Sequence, residues 1–415
     1  MQTSIIPFRI VVGGHSVDGY DVRAGAAGRE AESVLNLGEL PDDQAELGQV
    51  LGAALFSGSI HRLLLDTAQG ADVSGARLQI QLQVTAPELA VLPWEWATLG
   101  QRTLWQPALR DDYPLVRIGR RPRPLPPLDL NGPLRLLIVC APGADGAIAE
   151  LGHALAGPVR AGTLVADLLR DASPSDLAAA LAEEPCHLLH IIAPIGHSAY
   201  DATPRLQLAR NLDPAGLAAL LADYPDLRMC SFSGGGEPAA TSHFAGLLHE
   251  YHGMATLALG GLDNPTNALF CSVVYGELAA GELAELAVTN GRIALANSGA
   301  GWGLPQLWMA AGGEQLFTLH PLPAEPDISL AQPTLIDRVN RNRRSREERK
   351  QRSRNAQGPR SRVGIPWEPM VQRIGAVFER HSKSFTIAKT IVAPRPAGSP
   401  KNHSNARSSA CGSLS

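Results

Sequence analysis

No lysine occurs in the first 349 residues; all four lie at or beyond Lys350. Arginine therefore carries all the fixed positive charge of the body. Cysteine is sparse too, with five in 415 residues and no CxxC pair among them. That excludes a disulfide framework or a zinc ribbon and fits a reducing compartment. No uncharged apolar run approaches ~18 residues, so no transmembrane helix and no membrane partner are expected. The opening MQTSIIPFRIVVGG lacks a basic stretch followed by a long apolar one. No signal peptide is expected, and the expected location is the cytoplasm. No repeat of about 34 residues, the TPR period, is visible.

What is present is apolar, with charge unevenly spread. Hydrophobic residues make up 45% and charged residues 18%, ample for a buried core. Residues 333–415 hold 18 Lys+Arg against 5 Asp+Glu, a net of +13. The remaining residues 1–332 carry 18 against 35, a net of −17. An acidic body thus precedes a basic tail. The run DRVNRNRRSREERKQRSR, Asp337 to Arg354, offers phosphate contacts, so nucleic acid is a candidate partner through the tail. The alternative is a solvated extension. From Pro394 onward Pro, Ser, Asn and Gly dominate, and disorder is expected.

Periodicity divides the body. Residues 1–125 read as an N-terminal α/β subdomain. Ile5, Phe8, Ile10 and Val12 suggest a strand; Leu47, Val50, Leu51 and Leu55 fall at helical spacing. Leu78, Ile80, Leu82 and Val84 alternate with Gln79, Gln81 and Gln83, which predicts a half-buried strand with its glutamines in solvent. Residues 121–133 are proline-rich and read as a linker. Residues 126–320 then show apolar strands at Leu134–Cys140, Leu188–Ile192, Leu227–Phe232 and Ala255–Leu259. Helical patterns separate them, at 162–181, 217–222, 244–251, 264–280 and 282–296. Strands alternating with helices predict βαβ units with right-handed crossovers in a parallel sheet. Residues 321–415 form a linker and a basic, largely disordered tail.

Five segments in this order resemble the CHAT family, caspase-like peptidases often found beside TPR repeats. They are Leu92-Pro93-Trp94-Glu95; TLWQPALRDDYPLVRIG with Val116-Arg117; CHLLHIIAPIGHSAY from Cys186; LRMCSFSGGGEP from Leu227; and the stretch Phe244 to Ala296 with Tyr275 and Gly281-Glu282. The resemblance covers roughly residues 70–318. It implies a three-layer caspase-like fold and action in bacterial defence or signalling, by cleaving or binding a partner protein. That partner is either TPR-containing or another companion protein. No cofactor or metal is implied.

The family's cysteine–histidine dyad is displaced here. A cysteine peptidase needs a thiolate, a histidine base and oxyanion donors on loops at the carboxyl ends of adjacent strands. The family pattern His-x-x-Gly-His-Gly begins at His190, and without gaps Pro194 falls at the catalytic histidine. A three-residue extension of the loop would bring His197 there instead. In the pattern Leu-Ser-Ala-Cys, Ser233 falls at the nucleophile. Cys230 lies three residues earlier, and an odd offset along a strand turns it to the opposite face. The candidate pair is therefore His197 and Ser233, with His190 and Cys230 as alternatives. Gly234, Gly235 and Gly236 would let backbone N–H groups reach an oxyanion. The competing reading is a glycine-rich turn, an exposed His197, a structural His190 and a core Cys230, giving an inactive scaffold or sensor. Trp94 and Glu95 read as structural, with Arg117 the expected partner of Glu95. His249 and His252 read as a solvated helix end.

Overall fold

The first strand is long because Phe8, Ile10 and Val12 alternate inward. The computed structural model describes residues 4–100, 105–120, 123–197 and 202–320. All of them fall in the first of the chain's two units, Met1–Glu347. The tail 333–415, with its arginine-rich run, lies outside the described residues.

The N-terminal part opens with a meander, β1 (Ile5–Ser16), β2 (Gly19–Ala26) and β3 (Arg29–Leu35). Helices α1 (Gln44–Leu55) and α2 (Gly58–Ser74) lead to β4 (Arg77–Val84), which pairs parallel with β1. Asp43 caps α1 by accepting from the N–H groups of Ala45 and Glu46. After the short α3 (Pro87–Ala90), β5 (Leu115–Ile118) joins β4 in parallel.

The second part starts with β6 (Leu128–Leu130), β7 (Leu134–Cys140), α4 (Asp145–Ala154), α5 (Ala156–Arg160), β8 (Leu164–Arg170) and α6 (Pro174–Glu183). It continues with β9 (Leu188–Ile192), the small sheet β10 (Ile195–His197), β11 (Pro204–Gln207) and β12 (Asn211–Leu212), and α7 (Pro214–Leu221). Then come β13 (Met229–Ser233), α8 (Pro238–His252), β14 (Ala255–Ala258), α9 (Asn264–Leu278) and α10 (Ala284–Asn297), with β15 (Gln306–Met309) and β16 (Phe317–Leu319) last.

Eleven strands form one sheet in the order β3-β2-β1-β4-β5-β15-β14-β13-β9-β7-β8. The strands from β13 to β8 run parallel to β14, and β15 is antiparallel to it. The expected α/β class with a mostly parallel central sheet is therefore observed. Parity along the strands sorts the core. On one face Leu136, Ile138, Leu188, Ile192 and Met229 pack with Phe270, Val274 and Leu295 of α9 and α10. On the other, Val139, Leu189, Ile191, Cys230 and Phe232 pack with Leu177, Leu217 and Phe244 of α6, α7 and α8.

Three readings change. Residues 162–181 do not form one helix. Leu164, Ala166 and Leu168 alternate inward as the edge strand β8, and Ser173-Pro174 starts α6 with a reciprocal capping box to Asp176. The proline-rich 121–133 segment contains β6, which pairs with β16. Gln79, Gln81 and Gln83 are buried rather than solvated. The sheet continues on both sides of β4 and both its faces are covered; Gln81 donates to Gln79, and Arg9 donates to Gln83 at 2.7 Å.

The sheet is thinnest where its halves meet. β5 and β15 share only the pairs Trp308–Arg117 and Met309–Ile118. Below them, Arg292 of α10 donates to the carbonyls of Leu115 and Pro305, closing the gap. The expected Glu95–Arg117 pair is present and bidentate, at 2.8 and 2.7 Å. Arg117 also donates to the carbonyls of Ala90 and Leu92, and Arg292 stands 4.0 Å from the same carboxylate. All three side chains are almost wholly buried. Trp94 is buried alongside and donates to Leu89.

Candidate functional site

β9 and β13 are neighbours in register, with His190 opposite Ser231 and Ile192 opposite Ser233. Parallel registry and period-2 alternation put His190, Ser231 and Ser233 on one face, the face covered by α9. There they meet Tyr275. His190 Nε2 lies 2.9 Å from Ser233 Oγ, and His190 Nδ1 lies 2.6 Å from the Tyr275 hydroxyl. The result is a buried chain, Ser233–His190–Tyr275.

A neutral imidazole has one N–H, so the two contacts are coupled. When Nε2 accepts the Ser233 proton, Nδ1–H donates to the tyrosine oxygen; the other tautomer reverses both. Burial holds the ring neutral, lowering the His190 pKa to about 3. Tyr275 is fully buried as well, and desolvation pushes its phenol well above the usual range. Neither group carries charge near neutral pH. His190 itself has no exposure, and Ser233 only 4%.

His197 sits elsewhere. It ends β10, is about one-third exposed, and lies 3.2 Å from Glu237, the residue before α8. Its ring neighbours His243 at 6.3 Å. The structure thus joins Ser233 to His190 and His197 to Glu237. Pro194 lies between β9 and β10, and its carbonyl accepts from Gln207 at 2.9 Å. Cys230 pairs with Leu189 and faces the opposite core. Burial raises the thiol pKa of Cys140, Cys186, Cys230 and Cys271, so none of the four described cysteines is a ready thiolate. His249 is buried, not solvated, and bonds the Met254 carbonyl at 2.7 Å; the chain end of α8 folds back onto it. Among the described residues no group of three or more His, Cys, Asp or Glu is arranged to hold a metal.

The loop after β13 is tightly seated. Gly234, Gly235 and Gly236 all have positive φ, at 104°, 92° and 100°. A Cβ at Gly236 would lie 2.3 Å from the Ile195 carbonyl oxygen, whereas one at Gly235 meets nothing within 4 Å. Gly236→Ala is therefore expected to cost at least about 2 kcal/mol, and Gly235→Ala only the backbone strain of about 1 kcal/mol. Urea denaturation of the two variants checks the difference; equal losses would show that the backbone yields around Ile195.

A cavity of about 320 Å³ opens at the opposite ends of these strands, lined by Leu181, Glu183, Cys186, Tyr224 and Asp226. Nothing in it touches the Ser233–His190 pair.

The Tyr275 contact could not be found by spacing alone. The His190–Ser233 contact had a signal: equal parity on adjacent parallel strands. No helix among the described residues is long and apolar enough to cross a membrane. No family model matches the chain, and no curated protein matches it. Among solved structures, a chain of the Saccharomyces cerevisiae separase–securin complex aligns with 56% of this chain at 11% identity and a TM-score of 0.34. The alignment spans 15% of that yeast chain.

Proposed function

We propose that this is a caspase-type domain of CHAT character that has lost its cysteine–histidine dyad and acts by binding a protein partner. The observation that carries the reading is the closed Ser233–His190–Tyr275 chain. A serine nucleophile needs a base that becomes positively charged in the transition state. Among the described residues no carboxylate stands by His190 to stabilise that charge. Its pKa, lowered from 6.5 to about 3, sets the penalty at roughly 5 kcal/mol. That alone forfeits about three to four powers of ten in rate. Pro194 at the base position has no proton-accepting side chain. The role fits bacterial defence or signalling, with a companion protein, TPR-containing or otherwise, as the partner.

A second reading is a serine hydrolase using Ser233 with His190. The 2.9 Å contact between nucleophile and base favours it. The two readings separate on a random peptide library. The full chain is expected to leave the library intact, indistinguishably from Ser233→Ala and His190→Ala. Cleavage by the parent chain that disappears in Ser233→Ala would overturn the binding reading and establish the second.

A further inference from the structure

Glu285 lies in the first turn of α10 and is 1% exposed. Neither of its carboxyl oxygens has a hydrogen-bond partner of good geometry; only the residue's own N–H comes close enough to favour the carboxylate. One turn later on the same face, the buried hydroxyl of Thr289 is also unpartnered. Arg77, the first residue of β4, is close enough to favour the carboxylate, yet its Nε makes no hydrogen bond. Glu282 before the helix and Glu314 after β15 both add negative charge against it. A buried ion without hydrogen bonds is costly, while a buried neutral acid is much less so. The Ala284 N–H bonds the Glu314 carbonyl, so the start of the helix is tied to that loop.

We propose that Glu285 is a proton-operated latch: neutral, it seats the N-terminal turn of α10 on the body; ionised, it drives that turn to open. The latch is linked by packing to the candidate site. α10 lies along α9, and α9 carries Tyr275, the partner of His190.

Burial raises the Glu285 pKa from 4.5 to about 7. The folded-state value is above the unfolded one, so the stabilisation is full below about 4.5. It is lost as pH rises through about 7. If opening restores an ordinary carboxyl, the opening constant grows roughly 30-fold between pH 5.5 and pH 8.5.

The test is amide hydrogen exchange on the full chain at both pH values, corrected for intrinsic exchange and followed at residues 285–290. The parent is expected to lose at least about tenfold in protection at pH 8.5. Glu285→Gln should keep its protection at both values. Independently, the side-chain ¹³C resonance of Glu285 in the parent should titrate near neutrality. Protection independent of pH in the parent, a pH effect that persists in Glu285→Gln, or a carboxyl titrating near 4.5 would each overturn the proposal.

Discussion

Glu95→Ala is expected to destabilise the protein by about 3–5 kcal/mol, the cost of breaking a buried ion pair from one side. The carboxylate faces two guanidinium groups, those of Arg117 and Arg292, and all three are sealed from water. Removing it leaves two buried cations without a counter-charge. Desolvation already pulls Arg292 down to about 10 with Glu95 holding it up, so loss of the carboxylate lowers it further and weakens its charge. The arginines also hold the carbonyls of Ala90, Leu92, Leu115 and Pro305. Disorder in them would propagate to the β5–β15 seam. Glu95→Gln retains acceptor and shape and should fall between the parent and alanine variants. Guanidinium denaturation of the three proteins measures the order. A loss under about 1 kcal/mol in Glu95→Ala would mean that water or an anion reaches the seam.

The second large effect is acid lability. His190 is neutral and buried, with a folded-state pKa of about 3 against 6.5 when unfolded. Because the folded value is depressed, the unfolded chain takes the proton more readily. Stability is therefore lost as pH falls below about 6.5, until the folded ring itself titrates near 3. Between pH 7 and pH 4.5, His190 alone accounts for roughly 2.5 kcal/mol. His187, lowered to about 4 by burial, acts in the same direction, as do His243, His249 and His252. Glu285 opposes them over part of this range. Urea midpoints from pH 4.5 to pH 7.5 should rise with pH, and His190→Gln should flatten the rise. An unchanged slope in that variant would place the acid sensitivity in the other histidines.

Much of the sheet was legible because its strands are short, apolar and punctuated. Leu134–Cys140 and Leu188–Ile192 occur as read, and Ala255 opens its strand as expected. The helix from Asn264 was signalled by the proline behind its first residue. Where the reading failed, tertiary cover decided. The glutamine face of β4 looks solvated by pattern, yet the strands beside it and the packing above close it off. β8 was hidden because Leu164, Ala166 and Leu168 precede a strong helix start at Ser173. For the site, parity on the adjacent strands β9 and β13 could bring His190 to Ser233, but its second partner could not be read: Tyr275 reaches His190 from α9, 85 residues further along the chain. No local spacing encodes a helix docking on a strand.

The position of β15 also governs how the molecule is born. It sits between β5 and β14, yet β5 ends at Ile118 and β15 at Met309. On a translating ribosome, at about 5–20 residues per second, roughly 10–40 s separate the synthesis of these two strands. Throughout that interval the edge of β5 has no neighbour, and once residue 258 has been made the edge of β14 has none either; each is a template for pairing with another nascent chain. The last strand to enter the sheet is the one that joins its halves, so a chaperone that shields an open strand edge would matter most before residue 309 emerges.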